Sequence, residues 1–227
     1  MTDTLLFAAI LVPCLIVAIV FHEVAHGWTA LALGDPTAHE QRRLSLNPLR
    51  HVDPVGTLLV PGGLALLGGP IFGWAKPVPV RQDRLDNPRF GMMAVAAAGP
   101  GSNLLLAGLG AVVFGLYAGS VGFGQAMAGG VAFNVFMTFI AINVFLASFN
   151  LLPIPPFDGS HIVEGLLPRR LAVHWARLQQ IGIFFLIALI AVTWAFPDTG
   201  IIERFVLPPV EWAQAHYLRL ALWIAGE

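Results

Sequence analysis

The sequence predicts an all-α polytopic membrane protein with at least four transmembrane helices and a re-entrant, partly β-like segment between its first two full spans. Three observations carry the prediction. The 227 residues are 57% hydrophobic and 11% charged, with a mean hydropathy of +0.77, whereas a soluble domain carries about 25% charged residues. The apolar residues gather in long runs, several near the roughly 20 residues a helix needs to cross a bilayer. Arginine and lysine collect between some runs and are missing between others, the asymmetry that orients a chain across a membrane. With a formal net charge of −1 there is no basic stripe to neutralise phosphates, which argues against nucleic acid as a partner. The one cysteine, Cys14, rules out an intrachain disulfide.

Residues 5–27 form the first span. Leu5 to Phe21 are apolar throughout, and Gly34-Asp35-Pro36 stops the helix beyond them. Met1-Thr2-Asp3-Thr4 lacks the basic segment of a secretory signal, so this run is expected to be a retained anchor. Residues 35–53 hold Arg42, Arg43 and Arg50 and read as interfacial. Residues 55–73 are apolar but short, and Pro61-Gly62-Gly63 and Gly68-Gly69-Pro70 interrupt them. Trp74 to Phe90 is again basic, with Lys76, Arg81, Arg84 and Arg89. Both flanks of 55–73 therefore belong to the cytoplasm, which favours a hairpin that re-enters on one side over a true crossing. Gly73 to Val80 alternates and contains Pro77 and Pro79, a pattern that fits an edge strand and an extended connector equally well.

Residues 91–118 carry no charge and are rich in Gly and Ala, as helices that pack closely in lipid are. The loop to Gly130 is uncharged and falls on the non-cytoplasmic side. Residues 131–152 make the third span. Asp158, Arg169, Arg170 and Arg177 return the chain to the cytoplasm, and 178–196 make the fourth span. From about 208 to 225, Trp212, Tyr217, Leu220 and Trp223 alternate with Glu211, His216 and Arg219, the composition of an amphipathic interfacial helix. The whole chain reads as a single membrane-embedded domain.

The chemistry begins at Phe21-His22-Glu23-Val24-Ala25-His26-Gly27, at the end of the first span. On a helix His22 and His26 lie one above the other on one face, the spacing with which two imidazoles share a zinc ion. Glu23 then stands beside the metal, where a carboxylate can take a proton from a water activated by zinc. Ionisable groups at membrane depth cost roughly 3 kcal/mol each on permissive scales, and a metal ion is an effective compensating partner. A catalytic zinc commonly takes three protein ligands and one water. Asp158, in Asn150-Leu151-Leu152-Pro153-Ile154-Pro155-Pro156-Phe157-Asp158-Gly159, reaches the same side of the membrane by independent counting of spans and charges. His51 and His161 share that side, but their basic, polar neighbourhoods suit solvated histidines, and Glu164 is expected to face solvent. Asn103, in Gly99-Pro100-Gly101-Ser102-Asn103, fits two roles equally: a hydrogen bond to a neighbouring helix, or a donor to a substrate carbonyl or oxyanion. Asn143 and Asn150 read as links between helices.

His22-Glu23-xx-His26, Gly99-Pro100-xx-Asn103 and Asn150-xx-Pro153-x-Pro155-Pro156-Phe157-Asp158-Gly159 together resemble the site-2 protease family of intramembrane zinc metalloproteases. Leu44-Ser45-Leu46-Asn47-Pro48, Asp53-Pro54-Val55-Gly56-Thr57 and Gly73-Trp74-Ala75-Lys76-Pro77-Val78-Pro79-Val80 resemble its compact prokaryotic branch, which lacks PDZ and CBS domains. Phe157 departs from the leucine usual there, a conservative change. The resemblance covers about residues 20–165. It implies regulated intramembrane proteolysis at a prokaryotic plasma membrane, with single-span membrane proteins as substrates and the active site toward the cytoplasm. It further implies one Zn2+ per chain on His22, His26 and Asp158, Glu23 as base, and a segment around Trp74, Ala75 and Lys76 that pairs with unwound substrate. The alternatives are a membrane zinc or cation transporter and a zinc-binding membrane protein without protease activity. Spans after the first that carry no charge speak against the transporter, and Glu23, which a structural zinc site does not need, speaks against the second.

Overall fold

The structure, a computed structural model, describes residues 2–60, 63, 66, 75–128, 130–179, 181–195, 200, 204 and 207–227. Three helices in it are long and apolar enough to cross a membrane: α1 (Thr2–Ala32), α2 (Pro88–Val121) and α3 (Val131–Asn150). They take up the expected spans 5–27, 91–118 and 131–152. Among the described residues four more helices follow α3: α4 (Asp158–Leu166), α5 (Arg169–Gln179), α6 (Gly182–Ala195) and α7 (Leu207–Ala225).

The expected fourth span, 178–196, straddles a bend. The α5 axis meets that of Phe184–Val192 in α6 at 61°, so the count is three spans, or four if this bent pair makes one. The bend has a local cause. Gln179, at the end of α5, turns its amide toward Ser160 and His161 on α4, and a Cβ on Gly182 would come within 2.7 Å of Pro155. The chain is therefore held against α4 where a straight helix would have to leave it.

Helix α2 is the hub, in contact with α1, α3, α4 and α7. Asn87 caps it, accepting from Phe90 N at 3.3 Å, and Pro88 takes the first helical position, where its missing N–H costs nothing. Small residues let its neighbours approach. Ala107, Ala111 and Ala118 are buried with Phe114 against Ile140 and Val144 of α3 and Val210 and Ala221 of α7. A Cβ on Gly115 would stand 2.6 Å from the Ala221 carbonyl oxygen. Outward faces are apolar and exposed, as at Leu5, Phe7, Leu105 and Leu116, which suits a surface solvated by lipid.

Helix α7 covers residues 208–225, expected to form an interfacial helix. It lies along α2, with the Tyr217 hydroxyl donating to Leu104 O at 2.8 Å and Ala221, Ile224 and Ala225 following past Gly115 and Gly119. Of the aromatic residues that suggested an interfacial helix, Tyr217 is bonded to a backbone carbonyl of α2, while Trp212 and Trp223 are exposed.

Among the described residues there is no strand. Residues 75–81, expected to be an edge strand or a connector, are extended and pinned by separate groups. Lys76 N–H bonds to His51 O at 2.8 Å, Arg43 donates to Lys76 O at 2.7 Å and Pro77 O at 3.3 Å, and Arg81 N–H bonds to Asp35 at 2.6 Å. Of residues 55–73, expected to re-enter the membrane, the first few belong to Pro54–Leu59, a helical turn capped by Asp53; most of the remainder, and Trp74, lie outside the described residues.

Candidate metal centre

The two histidines stand on one face of α1 with ring centroids 4.6 Å apart and planes nearly perpendicular. Asp158 opens α4, and its Oδ2 approaches His22 Nε2 at 3.1 Å and His26 Nε2 at 3.3 Å. One ligand atom from each residue lies within 4.8 Å of the other two. The chain thus brings together three groups separated by up to 136 positions (158 minus 22).

The far side of each ring decides what the near side offers. His26 Nδ1 donates to the Val95 carbonyl at 2.7 Å. His22 Nδ1 donates to Asn103 Oδ1, also at 2.7 Å. Asn103 is fully buried, and its amide nitrogen gives its hydrogens to Ala18 O at 3.0 Å and Asn143 Oδ1 at 2.9 Å. Its oxygen must therefore be the atom facing His22. With a hydrogen on each Nδ1, both Nε2 lone pairs turn inward. Asp158 Oδ2 is buried with no hydrogen-bond partner. Three acceptors converge with no hydrogen among them, and a cation relieves that arrangement. Two imidazole nitrogens and a carboxylate oxygen match the nitrogen and oxygen donors zinc takes, with the fourth position left for water. The residues fit the ion.

Two glycines make the convergence possible. A Cβ on Gly99 would lie 2.5 Å from His26 Cε1 and Nε2 and 2.6 Å from His22 Cε1, so only glycine lets α2 pass so close to both rings. A Cβ on Gly159 would collide with the carbonyls of Leu151 and Leu152. The close seat of α4 against the end of α3 therefore requires the glycine that follows Asp158.

Glu23, next to His22, accepts a hydrogen bond from Val78 N–H at 2.7 Å. The extended segment thus crosses α1 at the expected base. Val78 is buried and packs toward Gly27, while Ala75 is half-buried and Lys76 exposed.

The structure separates the two roles open for Asn103. Both amide hydrogens are engaged within the bundle, so neither is available to an oxyanion, and the residue orients His22. Asn143 does link helices, from α3 to Asn103 on α2, whereas Asn150 bonds within its own helix, to Leu146 O. His51 is not solvated as expected: it is buried, with Nε2 donating to Ser45 O at 2.8 Å. Glu164 turns to His161 at 3.5 Å and is largely covered.

Sequence reasoning passed over Asp35, read only as a helix stop. It is fully buried and accepts from Thr37 N–H, Thr37 Oγ1 and Arg81 N–H, tying the end of α1 to the far end of the 75–81 segment. It also passed over Arg43, counted as a topology marker and here buried against the carbonyls of Lys76 and Pro77. Asp35 stands directly before Pro36-Thr37, and an Asx turn at that position was the available signal.

The chain as a whole has relatives among known proteins. The chain is 38% identical over 199 residues to YwhC of Bacillus subtilis, named as a candidate zinc metalloprotease, the match covering 84% of this chain and 86% of that one. The chain belongs to peptidase family M50, the site-2 proteases. The family model, peptidase family M50, matches residues 117–192, which include Asp158. Rip2 of Mycolicibacterium smegmatis, named in the same way, is 29% identical over 209 residues, covering 84% of this chain and 74% of its own. Rip2 of Mycobacterium tuberculosis is 27% identical over 206 residues, with 83% and 73% covered. No solved structure matches this chain at a significant level. Membership of M50 makes this chain a multi-pass membrane protein of metalloprotease type, and the His22, His26 and Asp158 cluster is its possible zinc site.

Proposed function

We propose that this M50 peptidase is an intramembrane endopeptidase holding one zinc ion per chain on His22, His26 and Asp158, and that it hydrolyses peptide bonds in or near transmembrane segments of single-span membrane proteins. The observation that carries the reading is that His22 and His26, which converge with Asp158, stand on α1, a helix long and apolar enough to cross a membrane. A centre built on such a helix is suited to substrates that themselves lie in the bilayer. The placement of basic loops supports a cytoplasmic opening at a prokaryotic plasma membrane.

When bound, the ion supplies Lewis acidity, polarising the scissile carbonyl and bringing the pKa of a water to about 7. Glu23 takes the proton from the attacking water and delivers it to the leaving amine nitrogen, while the Val78 N–H holds its carboxylate in place. Asn103 Oδ1 and Val95 O keep both imidazoles turned toward the centre. The stretch Trp74-Ala75-Lys76, which in sequence leads to the Val78 that meets Glu23, is the segment we assign to pairing with a substrate stretch that has left its helix. That unwinding is required because an α-helix hides its carbonyls in its own hydrogen bonds.

The test is zinc content and cleavage of a model single-span substrate by purified protein. Glu23→Gln keeps zinc and loses cutting, and Asp158→Asn loses zinc affinity and cutting together. Equal cleavage by wild type and Glu23→Gln would overturn the mechanism.

A further inference from the structure

Helix α5 carries more charge than its place in the fold requires. Between Gly165 and Phe196 there is no acidic residue, and Arg169, Arg170 and Arg177 all fall on this one helix. All three are exposed, and the described residues include no ion pair for any of them.

At 3.6 residues per turn, α5 has three sectors. Trp175 and Gln179 point inward: Trp175 Nε1 donates to Ser160 O at 2.9 Å, and Gln179 Nε2 reaches His161 Nδ1 at 3.2 Å. Arg170 and Arg177, about two turns apart, form a second sector beside the third, with Arg169 about a quarter turn further round and the exposed Val173 between them. Leu171 and Leu178, 55% and 40% exposed, form a third, stacked seven residues apart and adjoining the first. No residue of α5 is buried. A helix with one face on the protein, one apolar edge open and a row of arginines beside that edge has the form of a membrane-surface helix. Its continuation agrees, because the chain bends by 61° from α5 into the apolar α6, as a chain does when it passes from the surface of a bilayer into its interior.

From this juxtaposition we propose that α5 is a binding surface for anionic phospholipid headgroups, with Arg169, Arg170 and Arg177 on the phosphates and Leu171 and Leu178 in the acyl boundary. Lipid held there acts on the same support that places Asp158. Ser160, two residues beyond Asp158 and buried, takes the Trp175 hydrogen bond, and the other end of α4 is tied to α2 where Arg89 donates to Leu167 O. The surface is separate from the metal centre, and lipid binding is measurable whether or not the protein proves to be a protease.

The experiment compares wild type with the triple variant R169Q/R170Q/R177Q in mixed micelles of phosphatidylcholine and phosphatidylglycerol. The phospholipid retained by the purified protein is read by native mass spectrometry. Wild type is expected to retain phosphatidylglycerol preferentially. The glutamine variant is expected to lose that preference by about 100-fold at low salt, since each surface arginine contributes about fivefold. The preference should fall as salt is raised, and R169K/R170K/R177K, which keeps the charge, should retain it. In vesicles, added phosphatidylglycerol should raise cleavage by wild type but not by the glutamine variant, while both cut alike in detergent. Equal preference in wild type and the glutamine variant would overturn the proposal, as would wild type retaining both lipids equally. A lipid preference that is present while no substrate is cut would leave this inference standing and defeat the protease reading.

Discussion

Replacing Asn103 with alanine tests how the centre is held, because one substitution removes three buried hydrogen bonds. His22 Nδ1, Ala18 O and Asn143 Oδ1 all lose their partner. At roughly 1 kcal/mol for each bond, and more where a buried group stays unpaired, the loss of stability is about 3 kcal/mol. The effect on the metal is separate. Without the acceptor on Nδ1 the His22 ring is free to move its hydrogen to Nε2, which then faces Asp158 as a donor instead of a ligand. Loss of such an outer partner lowers metal affinity by about 10- to 100-fold. Competition against a chelator of known affinity reads the second quantity, and thermal unfolding in the same detergent reads the first. A role as oxyanion donor makes the opposite forecast, zinc affinity unchanged and kcat lower by about 10²–10³. That pattern would refute the orienting role and place a free amide hydrogen at the substrate.

Four further outcomes are expected. Gly99→Ala puts a methyl carbon 2.5 Å from the His26 ring and should abolish stoichiometric zinc, whereas Gly101→Ala, which meets nothing within 4 Å, should keep zinc and gain up to about 1 kcal/mol of helix stability; metal analysis and melting curves distinguish them. Val78→Pro deletes the N–H that holds Glu23 and should lower kcat by about 10- to 100-fold with zinc retained, a forecast that fails if kcat stays within twofold. Burial alone would raise the Asp35 carboxyl, but the hydrogen bonds from Thr37 and Arg81 outweigh it and hold it below the usual carboxylate range. Its contribution to stability is therefore complete above about pH 4 and is lost as pH falls through its lower folded value; Asp35→Asn should remove that dependence from acid unfolding curves. Stripping zinc with a chelator should lower stability by about 2.7 kcal/mol relative to zinc at 100 times its Kd, and Asp158→Asn should make melting far less sensitive to the chelator.

How far the centre could be read in advance follows from what kind of atom each part uses. His22, Glu23, His26 and Asp158 are side chains whose spacing and chemistry are written in the sequence; His22, His26 and Asp158 come to one place, and Glu23, beside His22 on α1, meets the Val78 N–H. The atoms that hold them are largely backbone. Val95 O orients His26, Ala18 O helps fix Asn103, and Val78 N–H meets Glu23; every residue has such groups, so no residue type announces them. Gly99 was visible as a glycine but not as the space two imidazoles occupy. Hydropathy located α1, α2 and α3 because lipid-facing length is a property of the run itself. It placed 178–196 in one piece because the bend between Gln179 and Phe184 involves contacts with Ser160, His161 and Pro155, and it did not reveal the packing of α7 along α2, which depends on Leu104 and Gly115; all of these are distant in sequence.

The anchors also show why the extended segment can serve chemistry without belonging to a sheet. A buried free edge leaves backbone groups unpaired, at a cost of about 1–3 kcal/mol each. Here His51 O takes the Lys76 N–H, Arg43 takes two carbonyls, Glu23 takes the Val78 N–H and Asp35 takes the Arg81 N–H. Pro77 and Pro79 have no N–H to satisfy. Two prolines that disfavour a central strand are thus suited to this extended segment, because they reduce the number of donors that must be matched. Of the four anchoring residues only Glu23 also belongs to the expected chemistry, so displacement of its carboxylate from Val78 is the one exchange that couples movement of this segment directly to the base.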